Sequence, residues 1–571
     1  MDWTSRHITY SGGLEHADLR AAVREPRILM QLAKRNLRQE PIRGHRRARR
    51  PRIDGSETQD SRNLQIDWSF STGTGHVAPN MFPAKFGFDT SATPSCASDF
   101  VVFGLNVKGV TGGQSNILGL NQLYSGTKPR LCNQNGPSVY FAYNGSTAAG
   151  SILTSPSLSL DGSKIAYVES AASSSVFHVL TWKPGDGSSR GDAVHAASST
   201  MPPACTATSS CLVSVTYANI TTTLASPWVD FASDKAFVAA DDGTIARISC
   251  VFTCALNATP TIDWTYKLPI AGTDGARPVP SGPVYNSPYG LLFVTDQLGE
   301  VWVLNARGAT PSLFAGPVMI GGGGCTTTNP PGRVGTPNPC TANGKSYGIP
   351  DSVILDASGS SEKIYVFTGN DGGQGPSGQS ALVAQMNQDL TGIVKVYIGK
   401  GSVGLSTGNV DIHSGTFNDA YWGASPSTNG LLYVCGTGPT DLTPYHYWIG
   451  FANYPVMDSS YTGNLQRIGN AGVSCTPYGE FYNATVDIDP NIAGAQHDLL
   501  FSGLVDPTNG YVITNDISAV GFTAALVSRS YPGGISGQVI DNDSTSGQAA
   551  SIYFGTLTNA TVVKLTQVGL N

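Results

Sequence analysis

The sequence predicts an all-β protein, a single β-propeller of eight blades behind a poorly ordered basic leader. Three observations predict it. A strand-like motif recurs eight times at near-even spacing, turn-forming residues are abundant, and charge is sparse. The 571 residues include 67 Gly and 35 Pro, and only 13% are charged while 40% are apolar. That balance excludes a disordered chain or a coiled coil, which need far more charge, and no strict triplet supports a collagen. A chain of this length can bury a large core.

The leader comes first, as residues 1–62. Residues 14–39 have helical composition interrupted by Pro26, and a run of arginines follows between Arg43 and Arg52. Residues 1–52 carry 13 Lys+Arg against 5 Asp+Glu, and the remainder carries 21 against 35. A body this acidic, with no basic stripe, is a poor match for a phosphate backbone, so nucleic acid is not an expected partner. The arginine run reads as a solvated leader. No apolar run of about 7–15 residues follows a basic start, so a conventional signal peptide is not visible. No stretch of about 18 apolar residues occurs, so no membrane span is expected.

The body, residues 63–571, is organised by an aromatic residue inside a short apolar run. It appears as DFVVFGL around Phe103, KIAYVES around Tyr167, KAFVAAD around Phe237 and LLFVTDQ around Phe293. It returns as KIYVFTG around Tyr365, LLYVCGT around Tyr433, LLFSGLV around Phe501 and SIYFGTL around Tyr553. The intervals are 64, 70, 56, 72, 68, 68 and 52 residues. Separate domains would not keep such spacing, and a repeat architecture does.

Each unit has a similar grammar. Upstream, a proline opens a short strand, as in Ser155-Pro156-Ser157-Leu158, Ser226-Pro227-Trp228-Val229 and Ser281-Gly282-Pro283-Val284. Proline is excluded from central ladder positions, so it marks a strand start. Downstream, Asp241-Asp242-Gly243 and Leu298-Gly299-Glu300 form turns into a second alternating strand, Ile245 to Ile248 and Val301 to Leu304. The last unit continues in the same way from Val562 to Leu565. Three or four short strands per unit make a propeller blade. Eight anchors give eight blades, or seven if the first and last units are halves of one. The surplus length falls in loops such as residues 321–345, where propellers place function. A string of sandwiches needs about 100 residues per unit and a β-helix about 20–30, so neither fits.

Segments 235–249 (KAFVAADDGTIARIS) and 291–306 (LLFVTDQLGEVWVLNA) resemble the repeat of the quinoprotein-like β-propellers. Segment 155–168 (SPSLSLDGSKIAYV) resembles the repeat of TolB-type propellers. The resemblance spans roughly residues 96–567 and implies the fold. It also implies, for the family's enzymes, pyrroloquinoline quinone with calcium, adjacent cysteines, docking tryptophans and sometimes a CxxCH haem site. This chain has no Cys-Cys pair and no CxxCH. Trp3, Trp68, Trp182, Trp228, Trp264, Trp302, Trp422 and Trp448 share no repeat position. The quinone is therefore not an expected cofactor.

All ten cysteines lie in the body as near neighbours: Cys96/Cys132, Cys205/Cys211, Cys250/Cys254, Cys325/Cys340 and Cys435/Cys475. An even count among Gly, Pro, Ser and Thr reads as loop disulfides in an oxidising compartment. Zinc is disfavoured, because Cys250 and Cys254 find no second pair to complete a tetrahedral site. An extracytoplasmic location, whether secreted, periplasmic or on the cell surface, is the expectation.

Catalytic motifs are weak. GxSxG occurs at Ser189 and Ser406, but both serines sit in Gly/Ser-rich sequence without the strand and helix that a nucleophile elbow needs. Asp487, Asp489, Asn491 and Asp498 have the oxygen-ligand spacing of a calcium loop, with Ile492 where the sharp turn wants Gly. Calcium is the one cofactor the sequence admits. His178, in an alternating strand, is expected to be packed. His413, in an Asp/His loop, and the aromatic pair Tyr421 and Trp422 are the candidate ligand-binding residues.

The expected function is an exported, non-catalytic, monomeric propeller that binds a protein or glycan partner through loops on one face. A propeller enzyme is one rival, either a quinone-dependent oxidoreductase or a carbohydrate-active lyase or hydrolase, with its site at the central axis. A structural protein of the cell envelope is the other.

Overall fold

The protein is seen in a computed structural model that describes residues 6–9, 11, 64–87, 94–128, 130–198, 209–220, 223–253, 259–269, 278–321, 348–358, 362–371, 380–402, 410–423, 426–483, 497–506, 508, 510–518, 527–542 and 550–567. Eight sheets follow one another, and each is one blade numbered in chain order. Blade 3 shows the pattern: Trp228–Asp230 innermost, then Lys235–Ala239, Thr244–Ser249 and Thr261–Lys267, all antiparallel. Blades 1, 4 and 6 begin at Ala84–Phe86, Val284–Asn286 and Thr416–Phe417 and are built alike. Blades 2 and 7 have a divided inner strand, Ser151–Ile152 with Ser157–Leu158 and Ser474–Cys475 with Gly479–Asn483.

Every anchor aromatic lies on the second strand of its blade, and all eight are fully buried. The second strand is covered on both faces by the neighbouring sheets, which is why the run around each anchor is apolar without alternation. The core is divided accordingly. Phe501, Val512 and Leu499 of blade 7 pack with Ile552, Phe554 and Val563 of blade 8. Val168 and Phe177 of blade 2 pack with Val229, Val238 and Ile248 of blade 3. No blade shields both of its own faces, so the ring holds together as a whole.

Local signals read from the sequence sit where the chain needs them. Pro156, Pro227 and Pro283 each precede an inner strand directly, at Ser157–Leu158, Trp228–Asp230 and Val284–Asn286. Gly243 and Gly299 adopt φ +81° and +89° in the turns between second and third strands. A Cβ on Gly299 would stand 2.3 Å from the Gly321 carbonyl, so that turn admits no side chain.

The ring closes at blade 8. Val539–Asn542, Ala550–Gly555 and Thr561–Gln567 supply its first three strands, and Leu64–Ser71 supplies the outermost one. Both ends of the body thus share one sheet, paired from Leu64 opposite Gln567 to Ser71 opposite Thr561 with a bulge between Ile66 and Trp68. Phe103 and Tyr553 belong to different blades, so the count is eight and not seven. Buried ion pairs mark the seam: Lys564 Nζ to Asp67 Oδ2 at 2.6 Å within blade 8, and Lys85 Nζ to Asp541 Oδ2 at 2.6 Å between blades 1 and 8. The Tyr124 hydroxyl accepts from Lys85 Nζ at 3.3 Å and donates to Asp99 at 2.5 Å. Trp68 Nε1 donates to the Leu123 carbonyl of blade 1.

Candidate functional site

Among the described residues, the inner strand of blade 5, Ile354–Asp356, has a neighbour on its axial side that no other blade has. Ile8–Thr9 pairs with it in parallel, Ile8 opposite Leu355 and Thr9 opposite Asp356. Leu355 N–H donates to the His7 carbonyl and Ala357 N–H to the Thr9 carbonyl, both at 2.8 Å. Arg6–Thr9 and Ser11 therefore lie at the axis, where inner strands from around the ring converge. The sequence grouped these residues with the leader, yet His7, Ile8, Thr9 and Ser11 are all buried.

Side chains from several blades hold the segment. Arg6 Nη2 donates to the Tyr478 carbonyl at 2.7 Å, to Ser414 Oγ at 3.1 Å and to the Ser414 carbonyl at 3.4 Å. Its guanidinium lies 4.6 Å from the centroid of the Phe82 ring of blade 1, within cation–π range. His7 Nδ1–H donates to the Val353 carbonyl at 3.0 Å. Ile8 joins the hydrophobic cluster that contains Phe82, Val353 and Leu355. At the far end, Asp356 accepts from Ser11 N at 3.1 Å and from Ser11 Oγ at 2.5 Å, and the Tyr454 hydroxyl also bonds Ser11 Oγ.

Ionisable groups are concentrated at this end of the site, with His7 and His413 buried and Arg6 and Asp351 half-buried. Burial lowers the His7 pKa to about 4, although Asp351 nearby opposes the shift and Arg6 adds to it. Burial also lowers His413, against the pull of Asp351 and Asp411. Burial alone would raise the Asp351 carboxyl, but His7, His413, Arg6 and the Ser414 hydroxyl hold it below the ordinary range. Ser414 donates both its N–H, at 3.0 Å, and its hydroxyl, at 2.5 Å, to Asp351 Oδ2.

The candidate ligand-binding residues find different places from those their sequence context suggested. His413 is buried beside this axial cluster. Tyr421 is fully buried on the short helix Asp419–Trp422, stacked on Phe417 at 4.0 Å. Its hydroxyl donates to Asp356 Oδ2 at 2.7 Å and meets the Tyr365 hydroxyl at 2.8 Å, so it braces the floor of the axial site. Trp422 is half-buried against two core clusters. None of the three is an exposed loop side chain.

Of the calcium candidates, Asp487, Asp489 and Asn491 lie outside the described residues. Asp498 is buried and accepts from Asp419 N–H at 2.8 Å, which ties blade 7 to the helix of blade 6. No cluster of three metal-ligating side chains occurs among the described residues. His178 is packed, with Nε2 bonded to Glu169 Oε2 at 2.8 Å, Nδ1 to Ser214 Oγ at 2.7 Å, and its ring stacked on Tyr167. Burial would raise Glu169, but His178 and the N–H groups of Thr147 and Gly150 bring it down to about 2.

Disulfides join Cys96 to Cys132 and Cys435 to Cys475. Cys211 and Cys250 are also disulfide-bonded. Cys205, Cys254, Cys325 and Cys340 lie outside the described residues. No helix among the described residues is long and apolar enough to cross a membrane.

No family model matches the chain, and no curated protein sequence does. Solved structures do match. BamB from Moraxella catarrhalis is 10% identical, with 88% of this chain and 100% of that one covered and a TM-score of 0.42. Sqt1 from Saccharomyces cerevisiae is 10% identical over 88% and 98%, at 0.45. Sqt1 from Chaetomium thermophilum is 12% identical over the same shares, at 0.45. Likeness at this identity concerns the fold alone. The eight-bladed ring stands on its own sheets.

Arg6, His7, Ile8, Thr9, Ser11, Asp351 and Asp356 do not stand out in the sequence as site residues. A weak signal existed for the first five. Ile8-Thr9-Tyr10 is β-prone and is followed by Ser11-Gly12-Gly13, a strand-then-turn composition inside an otherwise helix-like leader.

Proposed function

We propose that this chain is an exported, non-catalytic β-propeller that binds a protein partner through loops on one face of the ring. One observation carries the proposal: the axis, where a propeller enzyme would hold its substrate, is occupied by the chain's own His7, Ile8, Thr9 and Ser11, all buried, with Arg6 half-buried beside them. The disulfides support an oxidising compartment. A protein is favoured over a glycan by the aromatic inventory. Sugars stack on exposed indole faces, yet among the described residues Trp68, Trp182, Trp228, Trp264 and Trp302 are buried, and Trp422 and Trp448 half-buried. The exposed large side chains include Leu224, Leu313, Phe314 and Ile393, which suit an apolar protein contact.

The test is to screen the full chain on paired arrays of extracellular proteins and of glycans, with a panel of oxidoreductase and glycosidase substrates alongside. A saturable protein hit with a blank glycan array is expected. Binding to glycans alone, or turnover of any substrate in the panel, would contradict the proposal.

A further inference from the structure

The axial segment is an added parallel strand on the inner edge of its blade, whereas the other added parallel strand among the described residues, Ala197–Ser198, lies on the outer edge of blade 2. Among the described residues, seven blades end at their inner strand, and blade 5 would be an ordinary four-stranded blade without Ile8–Thr9. The extra strand is parallel, whereas the ladder it joins is antiparallel. Ring closure does not use it, because Leu64–Ser71 performs that role. Its backbone accepts two ladder bonds, from Leu355 and Ala357. The remaining contacts are side-chain contacts of the kind that distinguish one peptide from another.

The geometry points to the axial channel as a peptide-binding site, which Arg6–Thr9 and Ser11 fill as a ligand in cis and which accepts a separate extended segment of the same design. Adding a strand to an exposed inner edge supplies affinity through main-chain bonds, and pockets for individual side chains supply selectivity. The pockets define the ligand. An arginine is required first, for the Tyr478 and Ser414 carbonyls and the Phe82 ring recognise a planar cation. An aliphatic residue follows two positions later, in the cluster with Phe82 and Leu355. A small hydroxyl residue stands three positions beyond that, where Asp356 accepts both its N–H and its hydroxyl. The ligand class is therefore an unfolded polypeptide segment carrying Arg, any residue, Ile or a similar aliphatic, two further residues, and Ser. The site is independent of the loop face assigned above to a protein partner.

The experiment uses the full chain and a fluorescein-labelled peptide of residues 3–12 (WTSRHITYSG), followed by fluorescence anisotropy. Ile8→Asp places a charge in the apolar pocket and ejects the cis segment, and Arg6→Ala is a milder lesion run in parallel. Saturable binding is expected for either variant that keeps its near-UV circular dichroism, with apparent affinity at least tenfold weaker for the wild-type chain because its own segment competes. A peptide carrying the Arg6→Ala change should lose at least tenfold. Absence of peptide binding to a folded variant, or equal binding of both peptides, would overturn the proposal. So would loss of folding in both variants, since the segment would then be an integral part of the core.

Discussion

Leu355 donates its backbone N–H to the carbonyl of His7 at 2.8 Å. A residue from the first turn of sequence and one from the inner strand of the fifth blade thus share a ladder on the propeller axis. Through this contact the extreme N-terminal part of the chain becomes a component of the site that the ring encloses.

Acid should loosen that contact. His7 is neutral when docked, with its pKa lowered to about 4 chiefly by burial, against 6.5 when free. A depressed pKa means that docking is fully supported above about 6.5 and is lost as the pH falls toward 4, by about tenfold per pH unit. The charged groups acting on His7 include Arg6 on its own segment and Asp351 from blade 5. Exchange of the Leu355 amide, corrected for intrinsic rate, should accelerate across this window, and His7→Phe should flatten the dependence.

Tyr421→Phe should cost about 1–3 kcal/mol in urea unfolding, because the buried Asp356 carboxyl loses a donor. Burial raises the Asp356 pKa, with Ser11, Ser358 and Tyr421 opposing the shift. A raised folded pKa favours the native state at low pH and loses that advantage as the pH rises. The missing donor matters most to the ionised carboxylate, so the cost should grow from pH 4 to pH 8.

Lys564→Met should be among the most damaging single changes at the seam. It leaves the buried Asp67 carboxylate without its cation, a loss of about 3–5 kcal/mol. The double change Lys564→Met with Asp67→Leu should recover most of that loss. Equal unfolding midpoints for the single and double variants would argue that the pair contributes little to closure.

The Cys96–Cys132 bridge closes a span of 36 residues in blade 1. Removing it by Cys96→Ser with Cys132→Ser should lower stability by about 3–4 kcal/mol, from the loop entropy returned to the unfolded chain. Thermal melts of the variant and the oxidised parent measure this directly.

The ring was legible in the sequence because its signals are local. Each anchor strand is buried on both sides, so Tyr167, Phe237 or Tyr433 stands in a continuous apolar run, and Pro227 or Gly243 marks the neighbouring boundary within a few residues. The bridges between Cys96 and Cys132 and between Cys435 and Cys475 join near neighbours for the same reason. The axis was not legible. Its groups come from blades 1, 5, 6 and 7 and from the leader, and Asp351 and Asp356 look in sequence like ordinary turn residues. Tyr421 misled for a related reason. Its helix Asp419–Trp422, capped by Asn418, turns the ring inward onto Phe417 rather than outward from a loop.

Hydrogen exchange at the Leu355 and Ala357 amides of the unaltered full chain, at neutral pH, reports on the axis most directly. Both point away from the second strand of blade 5 toward the carbonyls of His7 and Thr9. If the N-terminal residues occupy the channel, both should exchange at least about a hundredfold more slowly than unstructured backbone. Exchange of the pair at the unprotected rate, while the rest of the blade 5 ladder stays protected, would show an open channel and contradict the closed axis.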